Sequence, residues 1–446
     1  MAGTTRPGSV ALQSGFMGVK TKTRYNSIIK IKDGPMSQPE IPYDSSRLQS
    51  LDIMRGLTIL VMLFVNDVAS VAGAPGWMKH VSPSTADGMT FVDVIFPAFL
   101  FLVGMALPMA LERRFERGES TASVAGHILL RTGSLLIIGV LMVNTENISE
   151  RGILPPAVWQ LLLYAGVCLI WITPPKNPRW SSAWRRAAGG ALLVALVLVY
   201  RGEPDQIGIR TQWWGIIGLI GWAYAVTAFL FLAMRKNALG FAGAAVLLYC
   251  VYFADAGGFF HFLRGTVGHW IRIGSTLGSH AAITASGALL GLTLLRPARP
   301  HGARIRSALL FALVLACAAL LLHSMNGVHR AFIYNKNAAT PPWCLLSSAW
   351  TAGLFAAVYW LVDAKGWGPL LAVLGSAGQN ALLAFILGPI AYAIFDLVPK
   401  LSGGTHPWWG WLGGNTAVGI VRSVLFAFAA TGLTAWLQSR GKALRV

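Results

Sequence analysis

Apolar segments close to 20 residues long recur from Leu51 almost to the C-terminus of this 446-residue chain. A helix of about 20 apolar residues spans the hydrocarbon core of a bilayer. The segments lack the alternation of barrel strands, and only helices and closed barrels satisfy every backbone polar group inside lipid. The pattern therefore predicts an all-α fold, a polytopic integral membrane helical bundle with about 10–12 transmembrane helices.

Composition supports this class. Hydrophobic residues make up 55% of the chain and charged residues 12%, whereas soluble domains carry about 25% charged residues. Of the twelve helices that we predict, the fifth is unusually short and the eleventh unusually long. They cover residues 51–72, 91–111, 125–143, 154–173, 187–200, 214–234, 238–254, 279–295, 307–323, 343–363, 369–396 and 417–437.

The positions of Lys and Arg predict the orientation. Most of them, including the clusters at Arg113–Arg114 and Arg185–Arg186, fall on the side of the N-terminus. The positive-inside rule then places both termini in the cytoplasm. The net charge of +19 is explained by this topology and by anionic lipid of the bilayer, so no nucleic-acid partner is expected. Residues 1–46 are predicted to be a disordered basic cytoplasmic tail, and residues 47–440 the transmembrane domain.

Cysteine and glycine motifs are uninformative. The four cysteines occur singly in predicted helices, without the spacing of a metal site or a disulfide framework, so we predict no metal and only a packing role for them. No glycine-rich nucleotide fingerprint or nucleophile elbow occurs in a suitable context.

A polar pair interrupts the first apolar segment, "LTILVMLFVNDVASVAG". Counted from Leu57, Asn66 and Asp67 lie about 14–15 Å along a helix, near the middle of a hydrocarbon core about 30 Å thick. A single amide at this depth is often an interhelical hydrogen bond that stabilises the bundle. An adjacent amide and carboxylate favour a solvated cavity or a substrate site.

The next segment, "WMKHVSPSTADGMTFVDVIFPAFLFLVG", contains His80 in an outer loop and Asp93 at the start of the second helix. A neutral imidazole acts as a base near pH 7, although a single loop histidine is also an ordinary surface residue. Asp93 has a structural alternative, because Thr90 and Asp93 have the spacing of a helix capping box. Pro97 is expected to kink this helix.

Other polar residues are weaker candidates. Arg131 either extends its charge to the membrane surface or contacts a phosphate. Asn335, Lys336 and Asn337 lie in an outer loop before the tenth helix. Asn380, in the eleventh helix, has interhelical hydrogen bonding as its alternative.

Taken together, these stretches resemble the heparan-alpha-glucosaminide N-acetyltransferase family of transmembrane acyltransferases. The resemblance rests on "RLQSLDIMRGLTILVMLFVND" and "MTFVDVIFPAFLFLVGMAL", with shorter matches such as "GQNALLAFIL", and spans about residues 47–400. It implies transfer of an acetyl group from cytosolic acetyl-coenzyme A to an amino sugar or glycan on the other side of the membrane. The spacing between His80 and Thr90 is longer than is usual in the family.

The resemblance also implies roles for residues. His80 matches the family's outer-loop histidine, a catalytic base or transient acetyl carrier. Asp93 matches its second-helix aspartate and would orient the imidazole. Asn66 matches the intramembrane asparagine near the acyl donor, where its amide would stabilise an oxyanion.

The remaining candidates surround these three. Arg55, Arg131 and Asn380 are predicted to bind the donor, the two arginines through its phosphates. A list of expected substrate-binding residues completes the site: Asp67, Asn335, Lys336 and Asn337. The oligomeric state is left open, with a homodimer as one candidate.

Two other classes of protein fit the same pattern. A secondary transporter would also place Asn66 and Asp67 inside the membrane, and it would move its substrate without cleaving a thioester. A non-catalytic membrane scaffold would tolerate the loss of both His80 and Asp93.

Overall fold

The computed structural model describes residues 48–174, 181–204, 206–235, 237–263, 265–294, 299–402 and 408–446. The predicted tail, residues 1–46, lies outside these residues. The helices are α1 Gln49–Val68, α2 Phe91–Glu116, α3 Thr121–Val143, α4 Pro156–Trp171, α5 Ser182–Val199, α6 Gly215–Met234, α7 Ala238–Ala256, α8 Val267–Trp270, α9 Ala281–Leu294, α10 His301–His323, α11 Pro341–Tyr359, α12 Ala372–Gln379, α13 Ala381–Leu401, α14 Trp408–Leu412 and α15 Thr416–Ser439. Two π-helical segments, Ile273–His280 and Trp360–Ala364, precede α9 and follow α11.

The all-α membrane fold is confirmed. Within the described ranges, ten helices are long and apolar enough to cross a membrane. Each of the twelve predicted segments contains a helix. Two of these helices fall outside the ten: α4, which is shorter, and α1, which carries Asp52, Arg55 and Asp67. The chain is therefore a multi-pass membrane protein.

The predicted eleventh helix is not continuous. A short 3₁₀ segment, Gly368–Leu371, leads into α12, and Asn380 separates α12 from α13 with a non-helical backbone. The prediction of one helix over residues 369–396 is therefore wrong. Gln379 and Asn380 interrupt the apolar run at the break, but interhelical hydrogen bonding from a continuous helix also explains such residues, so the sequence pattern could not reveal it. The Asn380 side chain contacts backbone groups of Lys442 and Leu444, after α15.

The first helix also ends earlier than predicted. It begins at Gln49 and ends at Val68, so Asn66 lies roughly 25 Å along its axis. Asn66 and Asp67 therefore lie in the last turn of α1, and their predicted depth near the middle of the hydrocarbon core stays a prediction. The pair belongs to the same end of the bundle as the loop that carries His80.

Close helix contacts fix the position of the second helix. A Cβ atom placed at Gly104 would lie 1.9 Å from the Thr284 carbonyl oxygen, and one at Gly287 would lie 2.0 Å from the Phe101 carbonyl oxygen. Only glycine allows α2 and α9 to approach so closely, as is common at helix interfaces in membranes. This contact holds the start of α2, and with it Asp93, against the rest of the bundle.

The segment that follows α15 packs back against the ends of α4 and α12. We predict that these ends lie on the cytoplasmic side. Ala443 and Leu444 are buried, and the Leu444 amide donates to Asn380 Oδ1 at 3.0 Å. Leu444 also forms an isolated β-bridge with Ile172. At the opposite end, β1 Arg201–Gly202 and β2 Gln206–Ile207 form a two-residue antiparallel pair.

Candidate functional site: a histidine, an aspartate and a lysine at one end of the bundle

The loop between α1 and α2 is held by polar contacts to backbone. Lys79 Nζ donates to the Val71 carbonyl oxygen at 3.0 Å, and Thr90 Oγ1 donates to the Lys79 carbonyl oxygen at 2.8 Å. These bonds draw the residue before His80 against the residue that precedes α2. His80 is thereby placed over the first turn of that helix.

Asp93 has both of the roles that the sequence left as alternatives. Its Oδ2 atom accepts hydrogen bonds from the Thr90 amide at 3.0 Å and from the Thr90 hydroxyl at 3.2 Å, as in a capping box. Its Oδ1 atom lies 2.6 Å from His80 Nδ1. The cap fixes the carboxylate, so the imidazole contacts an acceptor that cannot rotate away.

The imidazole of His80 also faces a lysine. Lys336 Nζ lies 3.1 Å from His80 Nε2 and 3.3 Å from Nδ1. Because Nδ1 contacts the carboxylate, we assign the ring proton to that nitrogen, which leaves Nε2, the nitrogen beside Lys336 Nζ, as the acceptor. The His80 side chain is 51% exposed, whereas that of Asp93 is 3% exposed. A fixed acid therefore orients an accessible base.

Burial lowers the pKa of Lys336 below its ordinary value, and the nearby Asp93 carboxylate partly opposes this shift. Lys336 therefore loses its proton more readily than a free lysine. Such perturbed pKa values are common at functional sites, where a group gains or loses charge during the reaction. Lys336 was expected to bind substrate, and the structure brings it to the same imidazole as Asp93.

The loop that carries Lys336 is attached to the His80 loop. Asn335 is buried, and its Nδ2 donates to the carbonyl oxygens of Ser84 at 2.9 Å and Ala86 at 3.1 Å. Asn337 Nδ2 also donates to the Ser84 carbonyl oxygen, at 3.2 Å. The predicted substrate ligand Asn335 thus has its amide nitrogen occupied by backbone, and its position indicates a bracing role.

Asp87 also joins the His80 loop to the loop that carries Lys336, and the sequence did not reveal this role. Its carboxylate accepts from the Tyr334 amide at 2.8 Å and from His323 Nε2 at 2.9 Å. Burial raises the pKa of Asp87, but these hydrogen bonds and the charge of His323 together lower it below its ordinary value. The partners are more than 230 residues apart in sequence, so no local pattern could have identified them.

Asp67 does not join this group. Its Oδ2 accepts from Arg422 Nη2 at 2.9 Å and from Ser423 Oγ at 2.7 Å, while Oδ1 accepts from Trp409 Nε1 at 2.9 Å and from Tyr392 Oη at 3.0 Å. The side chains of Asp67 and Arg422 are 1% and 4% exposed. Asp67, which was predicted to bind substrate, thus belongs to a buried ion pair. Its contacts connect α1 to α13, α14 and α15.

Asn66, next to Asp67 in sequence, faces a different space. It is exposed to a cavity of about 60 Å³ between α1 and α13, whose wall also includes Tyr392, the partner of Asp67. His80, Asp93 and Lys336 are absent from the described residues that line this cavity. The structure therefore does not bring Asn66 to the imidazole, although both lie at the same end of the bundle.

The predicted donor-binding residues lie toward the other end. Arg55 is on α1, six residues after its start, and Arg131 is on α3, with its guanidinium 4.9 Å from the Tyr224 ring of α6. Asn380 Nδ2 donates to the Lys442 carbonyl oxygen at 2.8 Å, and Oδ1 accepts from Leu444. Asn380 is thus engaged by the C-terminal segment, while α1 with Arg55 packs chiefly against α12 and α3 with Arg131 chiefly against α6.

Across the part of the chain that the structure describes, no group of three or more His, Cys, Asp or Glu side chains could hold a metal ion.

These features define an integral membrane helical bundle with a histidine–aspartate–lysine group in the loops at one end. Residues 47–155, which include His80 and Asp93, match a family model described as a domain of unknown function, DUF5009. The chain is 33% identical to mouse (Mus musculus) heparan-alpha-glucosaminide N-acetyltransferase over 132 residues, covering 29% of this chain and 18% of that protein. It is 32% identical to the human (Homo sapiens) protein of the same name over 122 residues, covering 27% and 17%.

The resemblance to the heparan-alpha-glucosaminide N-acetyltransferase family is therefore confirmed over part of the chain. The matched segments cover less than a fifth of the length of these two relatives.

Proposed function

We propose that this protein is a transmembrane acyltransferase that moves an acetyl group from cytosolic acetyl-coenzyme A to an amino sugar or glycan outside the cytoplasm. The observation that carries the proposal is the contact of His80 with both Asp93 and Lys336. His80 and Asp93 lie inside residues 47–155, which match the DUF5009 family model, whereas Lys336 lies outside them. Most Lys and Arg residues lie on the side of the bundle opposite to His80. By the positive-inside rule this distribution supports a cytoplasmic location for both termini and an outer location for His80.

His80 is the proposed general base. The acceptor nitrogen attacks the thioester carbonyl carbon, and Nε2 receives the proton of the amine. The carbon–sulfur bond then breaks, the thiolate of coenzyme A leaves, and the imidazolium returns the proton to it. Asp93 holds the Nδ1 proton and stabilises the imidazolium, the role of the acid in a catalytic triad.

Lys336 is the proposed electrophilic group. A tetrahedral intermediate places negative charge on the former carbonyl oxygen, and a preorganised cation or donor beside it lowers the barrier. The Lys336 ammonium lies next to the nitrogen where the reaction takes place. It therefore supplies the function that the sequence analysis gave to Asn66, while Asn66 remains a proposed donor contact in its own cavity.

Donor binding is proposed for Arg55 and Arg131, whose guanidinium groups suit the phosphates of coenzyme A. We leave Asn380 out of this group, because the C-terminal segment uses both ends of its amide.

The test is acetyl transfer by the purified protein in lipid nanodiscs, with labelled acetyl-coenzyme A and glucosamine. His80→Ala should lower single-turnover transfer about 10²–10⁴-fold, the usual contribution of a general base. His329→Ala is the matched control, because His329 is an exposed outer-loop histidine whose ring accepts only a local bond from the Ala331 amide. Wild-type rates in His80→Ala would refute the assignment of the base.

A further inference from the structure

A second open space lies beside the loop that carries Lys336. It is a cleft of about 550 Å³ lined by the last turn of α7, Phe260, Gly268, Ile271–Ile273, Ser275 and Asn337–Ala338. Ligand sites for small molecules typically have volumes of about 300–1,000 Å³. The cleft is therefore large enough for one or two sugar rings.

The side chains around the cleft combine aromatic surface with opposite charges. Tyr252 and Phe260 supply the aromatic surface, and Asp255 and Arg272 supply the charges. Arg272 is exposed and forms no ion pair with any residue that the structure describes. Polar surface makes up most of the lining, which suits a hydroxylated ligand such as a sugar, and a few placed polar groups fix the orientation of a ligand.

Asp255 is held in a defined position. Its Oδ2 accepts a hydrogen bond from the Gly274 amide at 2.9 Å. A Cβ atom at residue 274 would lie 2.7 Å from the Asp255 side chain, so glycine is needed for this contact. The backbone thus fixes one carboxylate oxygen, and Oδ1 is left to accept from a ligand.

The cleft is also close to the proposed reaction centre. Asn337 lines it, and the preceding residue, Lys336, contacts His80. Consecutive Cα atoms are about 3.8 Å apart. The cleft therefore borders the loop that brings Lys336 to the imidazole.

We infer that this cleft binds the acceptor, an amino sugar unit whose ring packs against Tyr252 and Phe260 while Asp255 accepts from its ring hydroxyls and leaves its amine free to react. Arg272 binds a hydroxyl or an acidic substituent on the opposite side of the ring. The inference rests on the proposed acyltransferase function and adds the location of the acceptor site and the residues that select its hydroxyls. Asp255 then helps to select the acceptor, whereas His80 takes part in the reaction itself.

The experiment uses the full chain in nanodiscs with glucosamine as the probe. Asp255→Asn keeps the acceptor for the Gly274 amide and removes the charge, so the protein should fold normally. Loss of one charge-assisted hydrogen bond should weaken glucosamine binding, measured by calorimetry, about 10- to 100-fold. The acceptor KM should rise by a similar factor, and Asp255→Glu should restore part of it. Binding of acetyl-coenzyme A should not change.

Matched controls are Asp396→Asn and Arg151→Gln, which alter exposed charges on the same side of the bundle but outside the cleft. Glucosamine binding that Asp255→Asn abolishes, in a protein that transfers no acetyl group, would support the cleft and refute the proposed reaction. Acetyl transfer with an unchanged acceptor KM in Asp255→Asn would support the reaction and refute the cleft. A wild-type protein that binds no glucosamine would also refute the cleft.

Discussion

The buried pair of Asp67 and Arg422 allows a structural role to be separated from substrate binding. Arg422→Met removes the guanidinium that donates to Asp67 Oδ2 from Nε at 3.1 Å and from Nη2 at 2.9 Å. It leaves a carboxylate with 1% exposure and no cation beside it. Removing one partner of a buried ion pair costs about 3–5 kcal/mol, because the remaining charge is desolvated and uncompensated. We expect the free energy of unfolding to fall by about this amount.

The double variant tests whether the two charges act together. Asp67→Asn keeps an oxygen that can accept from Trp409 and Tyr392, but it leaves Arg422 without its counter-charge. In the combined variant neither charge remains, so its loss of stability should be smaller than the sum of the single losses by about 1–3 kcal/mol. A result of this kind would establish Asp67 as a connection between α1 and α15.

The assay is reversible unfolding in mixed micelles, followed by tryptophan fluorescence, because Trp409 contacts both charged groups. Lys400→Met is the control, since it removes an exposed ion pair with Asp396 at the same end of the bundle, and exposed pairs contribute about 0–1 kcal/mol. Single variants as stable as the control, with a raised acceptor KM, would refute this reasoning and restore Asp67 as a substrate ligand.

Three further predictions concern Asn66, the topology and Lys336. The Asn66 side chain has no hydrogen-bond partner among the described residues, so Asn66→Leu should leave stability nearly unchanged while the KM for acetyl-coenzyme A rises, as expected for a donor contact; an unchanged KM would place Asn66 outside donor binding. Ser84→Cys should react with impermeant thiol reagents only from the extracytoplasmic side, and labelling confined to the cytoplasmic side would reverse the topology. The pKa of Lys336 is lowered, so activity that needs its ammonium should be lost as pH rises through a value below that of free lysine. Lys336→Arg should retain activity to higher pH, and an unchanged profile would show that the charge of Lys336 is not required.

The sequence alone determined the fold class, because a hydrophobic run of membrane length leaves the backbone almost no alternative to a helix. The resemblance to the family implied that Asp93 would orient His80, and the two side chains do lie 2.6 Å apart. Most of the helix limits followed from the same pattern. The break at Asn380 did not, because polar residues such as Gln379 and Asn380 also occur inside continuous membrane helices, where they form interhelical hydrogen bonds.

Only the tertiary structure decided which polar residues share a site. Lys336 contacts His80 from 256 positions away in sequence, and Arg422 contacts Asp67 from 355 positions away. Such partners depend on how helices pack, and packing in a membrane depends on close contacts between small residues that hydrophobicity does not encode. The adjacent residues Asn66 and Asp67 therefore look like one site in the sequence, but neighbouring positions on a helix point in different directions. One faces an open cavity and the other a buried arginine.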